Sequence, residues 1–421
     1  MKINNWKYID VLEYCTKVTD GTHDSPKPTN EGRCLITSKH IKGRNIDFKS
    51  AYLISEQDFY KINQRSRVDQ WDVIISMIGE YCGFCYVERN KEINYAVKNV
   101  GLFKTGGKIK AEWLYYYLTS RQGKQALSKI KTGSSQPYLT LGALRSLKIP
   151  VPTETVIQNK IVSVISTIDS KIEINNKVNM ELEDIVKTLY DYWFIQFDFP
   201  DESGKPYKSG GGKMVWNDES KREIPEEWKI KNLLNNPLTE IIKPGINNFL
   251  GTKNYLATAD INEQIVESGN LITFEKRESR ANMQPSNNSV WFAKMKASRK
   301  HFYIGEYGED FIKNNILSTG FMGLKCKINA FEYIASYLES DIFELTKDTI
   351  SHGATMQGIG NDDLKFIKLM IPKEDVLNKY KETVGSTYKK LYLNFVENQK
   401  LVELRDWLLP MLMNGQVIIG E

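Results

Sequence analysis

Two stretches of the chain space their apolar residues alternately four and three apart. In the first, Ile157, Ile161, Val164 and Ile168 are followed by Val178, Leu182, Ile185, Leu189 and Tyr192, with Lys171 and Asn175 in the middle of the same register. A 3.5-residue period marks a helix that supercoils with a partner, and polar residues at seam positions weaken such a pair while restricting its register. At least about 36 residues long, this helix would extend roughly 54 Å at 1.5 Å per residue, which is long for a helix lying on one domain surface. The second stretch follows Pro372: Val384, Tyr388, Leu391, Phe395, Asn398 and Val402 keep the alternation, and Leu408, Leu409 and Leu412 precede an Asn414-Gly415 stop. Matching seams in one chain predict intramolecular antiparallel pairing, with globular parts at opposite ends of a rod.

The segments before each helix read differently. Trp71 to Gly79 is a β-rich run closed by glycine, Val97 to Phe103 is another, and Glu112 to Leu127 looks helical with Leu114, Tyr117, Leu118 and Leu127 as candidate buried positions. This mixture predicts an α+β fold. Phe199 to Gly212, rich in glycine and proline, reads as a linker.

The chain also repeats itself about 220 residues apart. Trp6-Lys7 returns as Trp228-Lys229, Tyr117-Leu118 with Ser120 as Tyr337-Leu338 with Ser340, Gly133 as Gly353, Leu147-Lys148 as Ile367-Lys368, and Pro152 as Pro372. Solenoid repeats recur every 20–50 residues or so, so this longer period means two copies of one domain, each trailed by a helix. The expected boundaries are a first α/β domain at 1–152, a central helix at 153–198, a linker at 199–225, a second domain at 226–372 and a C-terminal helix at 373–421.

Composition narrows the class. With 41% hydrophobic and 26% charged residues the chain is ordinary globular protein. It has no apolar run of membrane-spanning length, and its start does not resemble a signal peptide, so a cytoplasmic location and no membrane are expected. Five cysteines, an odd number, argue against a disulfide framework. Cys82 and Cys85 have metal or redox spacing, but there is no second such pair and the four histidines are scattered, so two thiols on or beside a strand is the plainer reading. A net charge of +5 suits an acidic partner without requiring one.

Catalytic motifs are missing. Gly106-Gly107-Lys108 and Gly211-Gly212-Lys213 lack the spacing of a phosphate loop, and Ile109 and Met214 stand where a magnesium-binding hydroxyl belongs. There is no Pro-Pro dipeptide, hence no Asn/Asp-Pro-Pro-aromatic loop of a DNA methyltransferase. Asp201, Glu219 and Lys221 have the order of a metal-dependent nuclease site, but in a glycine-rich linker that would not hold them to tolerance.

Binding signals are richer. Ser38, Lys39, Lys42, Arg44, Arg65 and Arg67 cluster in turn-rich parts of the first half, and Lys276, Arg277, Arg280, Lys294, Lys296, Arg299 and Lys300 in the second. Such side chains neutralise phosphates and pair with guanine edges; for any one cluster on its own, a solvated face is the favoured reading. Ser134, Ser135 and Gln136 after Gly133, with Gln357 after Gly353, could form a tight donor loop or a small-residue turn before a strand.

The order of these parts resembles the DNA-specificity subunit of a type I restriction–modification system. The Trp113–Ser120 helix, the Gly133–Leu139 loop, the Leu144–Pro152 strand leading into a long helix, and the junction Tyr192–Pro200, Gly204–Lys208 and Ile224–Trp228 carry the likeness. The second copy departs at Met356, where the first has Gln136. The resemblance implies two target-recognition domains reading the halves of a split double-stranded DNA site. The two helices would then be a spacer that docks two methyltransferase subunits, with restriction/translocase subunits joining for cleavage. It further implies a non-catalytic chain without its own cofactor, with S-adenosylmethionine, ATP and magnesium on the partners. A metal-dependent nuclease or a coiled-coil protein-binding scaffold is the alternative.

Overall fold

The computed structural model describes residues 6–133, 136–262, 265–266, 268–354 and 356–417. The chain forms two compact units, Met1–Ile172 with Leu401–Glu421, and Glu173–Lys400. The division differs from the expected boundaries because each long helix is shared: Thr155–Tyr190 and Glu374–Met413 both contribute to both units.

In the first unit, Asp72–Ser76 is a wholly buried strand, as its continuous Val-Ile-Ile run requires of a strand covered on both faces. It lies in a four-stranded sheet ordered Lys17–Asp20, Val100–Lys104, Asp72–Ser76, Cys85–Val87, with antiparallel neighbours throughout. A second sheet, Leu53–Ile54, Arg33–Thr37, Tyr95–Lys98, has a parallel pair between its last two strands. The expected single strand from Val97 to Phe103 is therefore two, in two sheets. Asn99, at φ 55°, turns the chain between them, a left-handed conformation asparagine tolerates better than most residues.

The expected helix from Glu112 to Leu127 is likewise two, Lys108–Thr119 and Arg121–Ile130. Ser120 breaks it: its hydroxyl donates to the Tyr117 carbonyl at 2.6 Å and accepts the Gly123 N–H at 3.1 Å, capping the second helix. Trp113 and Tyr117 point from the first helix to the strand Lys148–Pro152, donating to the carbonyls of Pro150 and Lys148 at 3.0 and 3.2 Å.

The second unit repeats this plan. Its sheets are Thr239–Ile242, Phe321–Cys326, Ser289–Ala293, His301–Ile304, and Asn270–Ile272, Lys253–Leu256, Asn315–Ser318, Ala281–Met283, with the parallel pair again in the second sheet. Ser340 caps Asp341–Ile350 as Ser120 caps its helix. Tyr333 and Tyr337 donate to the carbonyls of Met370 and Lys368 at 2.7 and 2.8 Å. The sequence repeat is thus a repeat of hydrogen bonds.

Along Thr155–Tyr190 the buried and half-buried positions include a four-three series of Ile161, Ile165, Ile168, Ile172, Asn175, Asn179, Leu182, Val186 and Leu189. Val178 and Ile185, expected in the seam, are 37% and 51% exposed. A strict four-three register continued from Ile168 lands on asparagines, and it overrides local hydrophobicity. In the second unit Asn175 donates to Asn398 Oδ1 at 2.9 Å, Asn398 to Asn176 Oδ1 at 2.8 Å, and Asn394 to Asn179 Oδ1 at 2.7 Å, so the two helices run antiparallel. The C-terminal helix ends at Met413, with Gly415 at φ 64°.

The expected glycine-rich linker is folded into the second unit. Phe199 stacks between Tyr207 and Trp228, at 4.6 and 5.0 Å between ring centroids, and Met214–Asn217 pairs with Arg222–Pro225 as a hairpin. Aromatic residues at both ends of the glycine run fix it.

Candidate nucleic-acid interface

In the first unit, the sequence-selected residues divide by environment. Ser38 is 5% exposed; its hydroxyl donates to the Asn99 carbonyl at 2.7 Å and accepts the Met77 N–H at 3.2 Å. Arg44 is drawn into the fold, with Nη1 2.5 Å from the buried Asp169 carboxylate. Burial alone would lower its pKa, and Asp169 together with Tyr115, Tyr116 and Glu112 more than offsets that. These two are structural members. Arg65 pairs with the buried Asp20 at 2.6 Å and Arg67 with Asp69 at 3.3 Å, yet their side chains stay 60% and 75% exposed. Lys39, Lys42 and Gln136 are exposed, while Ser134 and Ser135 lie outside the described residues.

A surface forms where several of these meet. The Ser38 bond places Lys39 beside the turn after Asp72–Ser76. Lys42 Nζ sits 3.6 Å from the centroid of the Tyr81 ring, which in turn meets Phe84 edge-on, a cation–π contact that keeps the ammonium near the surface. Ile78 bridges Tyr138 across the turn. The sequence reading missed Ile78, Tyr81, Phe84 and Tyr138, since apolar residues after a strand read as strand. Gly79 and Gly83, at φ 78° and 95°, were the available signal of an exposed turn.

The second unit has a matching surface. Lys294, Lys296, Arg299 and Lys300 lie in the turn between Ser289–Ala293 and His301–Ile304. Lys296 and Gln357 are exposed, and their backbones join at 3.0 Å. Arg280 is exposed beside them, its carbonyl accepting the Thr319 N–H at 2.9 Å. Burial lowers the pKa of Lys294. Arg299 pairs with Asp341, and Lys300 donates to the Thr258 carbonyl at 2.6 Å. Arg277 packs on the Phe274 ring 4.0 Å away, with Lys276 exposed next to it. Exposed Met295 and Met356 complete this edge.

Beneath the turn lies a buried ionic cluster. His301 is 2% exposed, with Glu339 3.1 Å from Nδ1 and Glu344 3.2 Å from Nε2. Lys347, fully buried, pairs with Glu344 at 2.8 Å.

The residues with the order of a nuclease site make other contacts. Asp201 Oδ1 accepts the N–H groups of Ser203 and Lys205 at 2.8 and 2.9 Å, closing a turn. Lys221 lies 3.9 Å from Asp218. Among the described residues no group of three or more His, Cys, Asp or Glu is placed to hold a metal, and no helix is long and apolar enough to cross a membrane. Cys82 and Cys85 are free and buried, at the turn and on the strand that follows it. Burial pushes the Cys85 thiol up to about 12.

Residues 27–184 match the family model described as the type I restriction modification DNA specificity domain. The chain is similar to type I restriction–modification specificity subunits. It is 26% identical over 324 residues to the type I restriction enzyme MjaIX specificity subunit of Methanocaldococcus jannaschii, covering 74% of this chain and 70% of the relative. It is 22% identical over 420 residues to the HindI specificity subunit of Haemophilus influenzae, covering 84% and 88%. The fold is that of a type I restriction–modification S subunit from M. genitalium, with a TM-score of 0.56 at 16% identity over 100% of this chain and 99% of that one.

Proposed function

We propose that this chain is the non-catalytic reader of a double-stranded DNA sequence in two parts, one per domain, and that it holds methyltransferase and restriction/translocase subunits on the shared site. The observation that carries this reading is the duplication: corresponding sheets and caps occur twice, the second sheet gaining one strand in the second unit, each with an exposed polar and cationic edge in the corresponding place. Two readers with separate cores discriminate independently. S-adenosylmethionine, ATP and magnesium act on the partners, and the complex works in the cytoplasm.

The test exchanges residues 1–152 for the corresponding segment of a relative, co-expresses the chain with its methyltransferase subunit, and maps the methylated bases. One part of the recognised sequence should change and the other persist. Change in both parts, or in neither, would refute modular reading, and methylation or cleavage by the purified chain alone would refute the non-catalytic role.

A further inference from the structure

Each unit ties the same turn to the same loop. In the first, Gly79 N–H donates to the Pro137 carbonyl at 3.0 Å, and Leu139 N–H to the Met77 carbonyl at 2.8 Å. Lys131 Nζ, just past the helix Arg121–Ile130, donates to the Cys82 carbonyl at 2.6 Å. In the second, Lys296 N–H donates to the Gln357 carbonyl and Ile359 N–H to the Lys294 carbonyl, both at 3.0 Å. Lys347 Nζ, within the helix Asp341–Ile350, donates to the Ser298 carbonyl at 2.9 Å. These ties use backbone groups and one lysine from below, so the side chains at the tip are left free to differ. They do differ: Ile78 and Gly79, followed by Glu80, stand where the second unit has Met295 and Lys296, followed by Ala297.

We propose that this tied turn is the base-reading edge of each domain, and that Lys131 and Lys347 are positioning residues that hold it. The proposal rests on the DNA-reading function above. Direct readout needs a few side chains held rigidly against base edges, which a frame independent of side-chain identity supplies. The exposed apolar residues favour bases over phosphates. Ile78 is 37% exposed and Met295 39%; apolar side chains suit a thymine methyl group and have no attraction for a phosphate. Lys347 is completely buried against Glu344, so it acts through the Ser298 carbonyl and never on DNA itself.

The full chain, co-expressed with its methyltransferase subunit, is offered random duplex DNA, and the methylated sequences are read. The double variants Ile78→Ala/Glu80→Ala and Met295→Ala/Lys296→Ala alter only turn positions, all four of them exposed. Each should lose roughly ten- to hundred-fold discrimination at one or two positions of one part, leaving the other part unchanged. If the wild type selects a sequence and both variants select the same one, the proposal is overturned. A uniform loss across all sequences overturns it as well, because that places the turn on the backbone. A wild type with no preference refutes the proposed function instead. Lys347→Met should relax the second part while leaving the salt dependence of binding to unrelated DNA unchanged. A lowered melting temperature with intact preference would reduce Lys347 to a stabilising residue, and should that variant not fold, the turn variants still decide.

Discussion

Asp169 makes the sharpest stability test. Its side chain is 1% exposed and sits on the long helix Thr155–Tyr190. It takes Arg44 at 2.5 Å, Arg405 at 3.2 Å and the Tyr116 hydroxyl at 2.8 Å. Asp169→Ala leaves two half-buried guanidiniums without this carboxylate and a buried phenol without its acceptor. Removing one partner of a buried charge cluster costs about 3–5 kcal/mol. Arg44 and Arg405 keep 19% and 25% exposure and so can turn partly toward water, which favours the low end. In a unit of this size about 3 kcal/mol lowers Tm by roughly 6–12 °C. Asp169→Asn keeps an acceptor while losing the charge, and should cost about half as much. Differential scanning calorimetry of both variants, with Arg405→Ala completing a double-mutant cycle, measures the coupling. An Asp169→Ala protein melting within a degree of wild type would show that the cluster stabilises nothing.

Two further outcomes follow from buried groups in the second unit. Burial would push the His301 pKa down, but Glu339 and Glu344 outweigh it and raise it to about 9. Because this lies above the ordinary value near 6.5, its contribution is complete below that pH and is lost as pH rises through about 9. Melting from pH 6 to 10 should show this loss in the wild type and a flatter profile in His301→Gln; parallel profiles would refute it. Val186→Asp buries a carboxylate in an apolar seam that is 5% exposed and should cost at least about 2 kcal/mol, whereas Ile185→Asp, at 51% exposure, should stay within about 0.5 kcal/mol. Equal effects on chemical denaturation would mean that the seam register is wrong.

The duplicated architecture was legible because its signals are local and repeated: Trp113 and Tyr333, Tyr117 and Tyr337, and Ser120 and Ser340 hold corresponding positions and make corresponding bonds. The long helices were legible from their period. The seam was misplaced at Val178 and Ile185 because side-chain hydrophobicity outvoted register. Asn175 and Asn179 are satisfied by Asn398 and Asn394 of the other helix, a long-range fact invisible in a window. The binding residues were harder. Lys39 and Arg44 look alike in sequence, but Asp169, 125 residues away in the chain, draws one of them inward. The linker misled because glycine content was weighed without the Phe199, Tyr207 and Trp228 rings around it.

The first unit is built from two segments far apart in sequence: Leu409, Leu412 and Met413 belong to the same apolar core as Ile161, Val162 and Ile165. During synthesis that core stays open while the second unit is made. At 5–20 residues per second, the roughly 230 intervening residues take about ten to fifty seconds. The ribosome thus delivers the contiguous second unit ready to fold, while the N-terminal one waits for its closing helix. A message truncated before codon 401 would yield a chain with one finished domain and one permanently uncovered helix face, a natural target for chaperones and proteases.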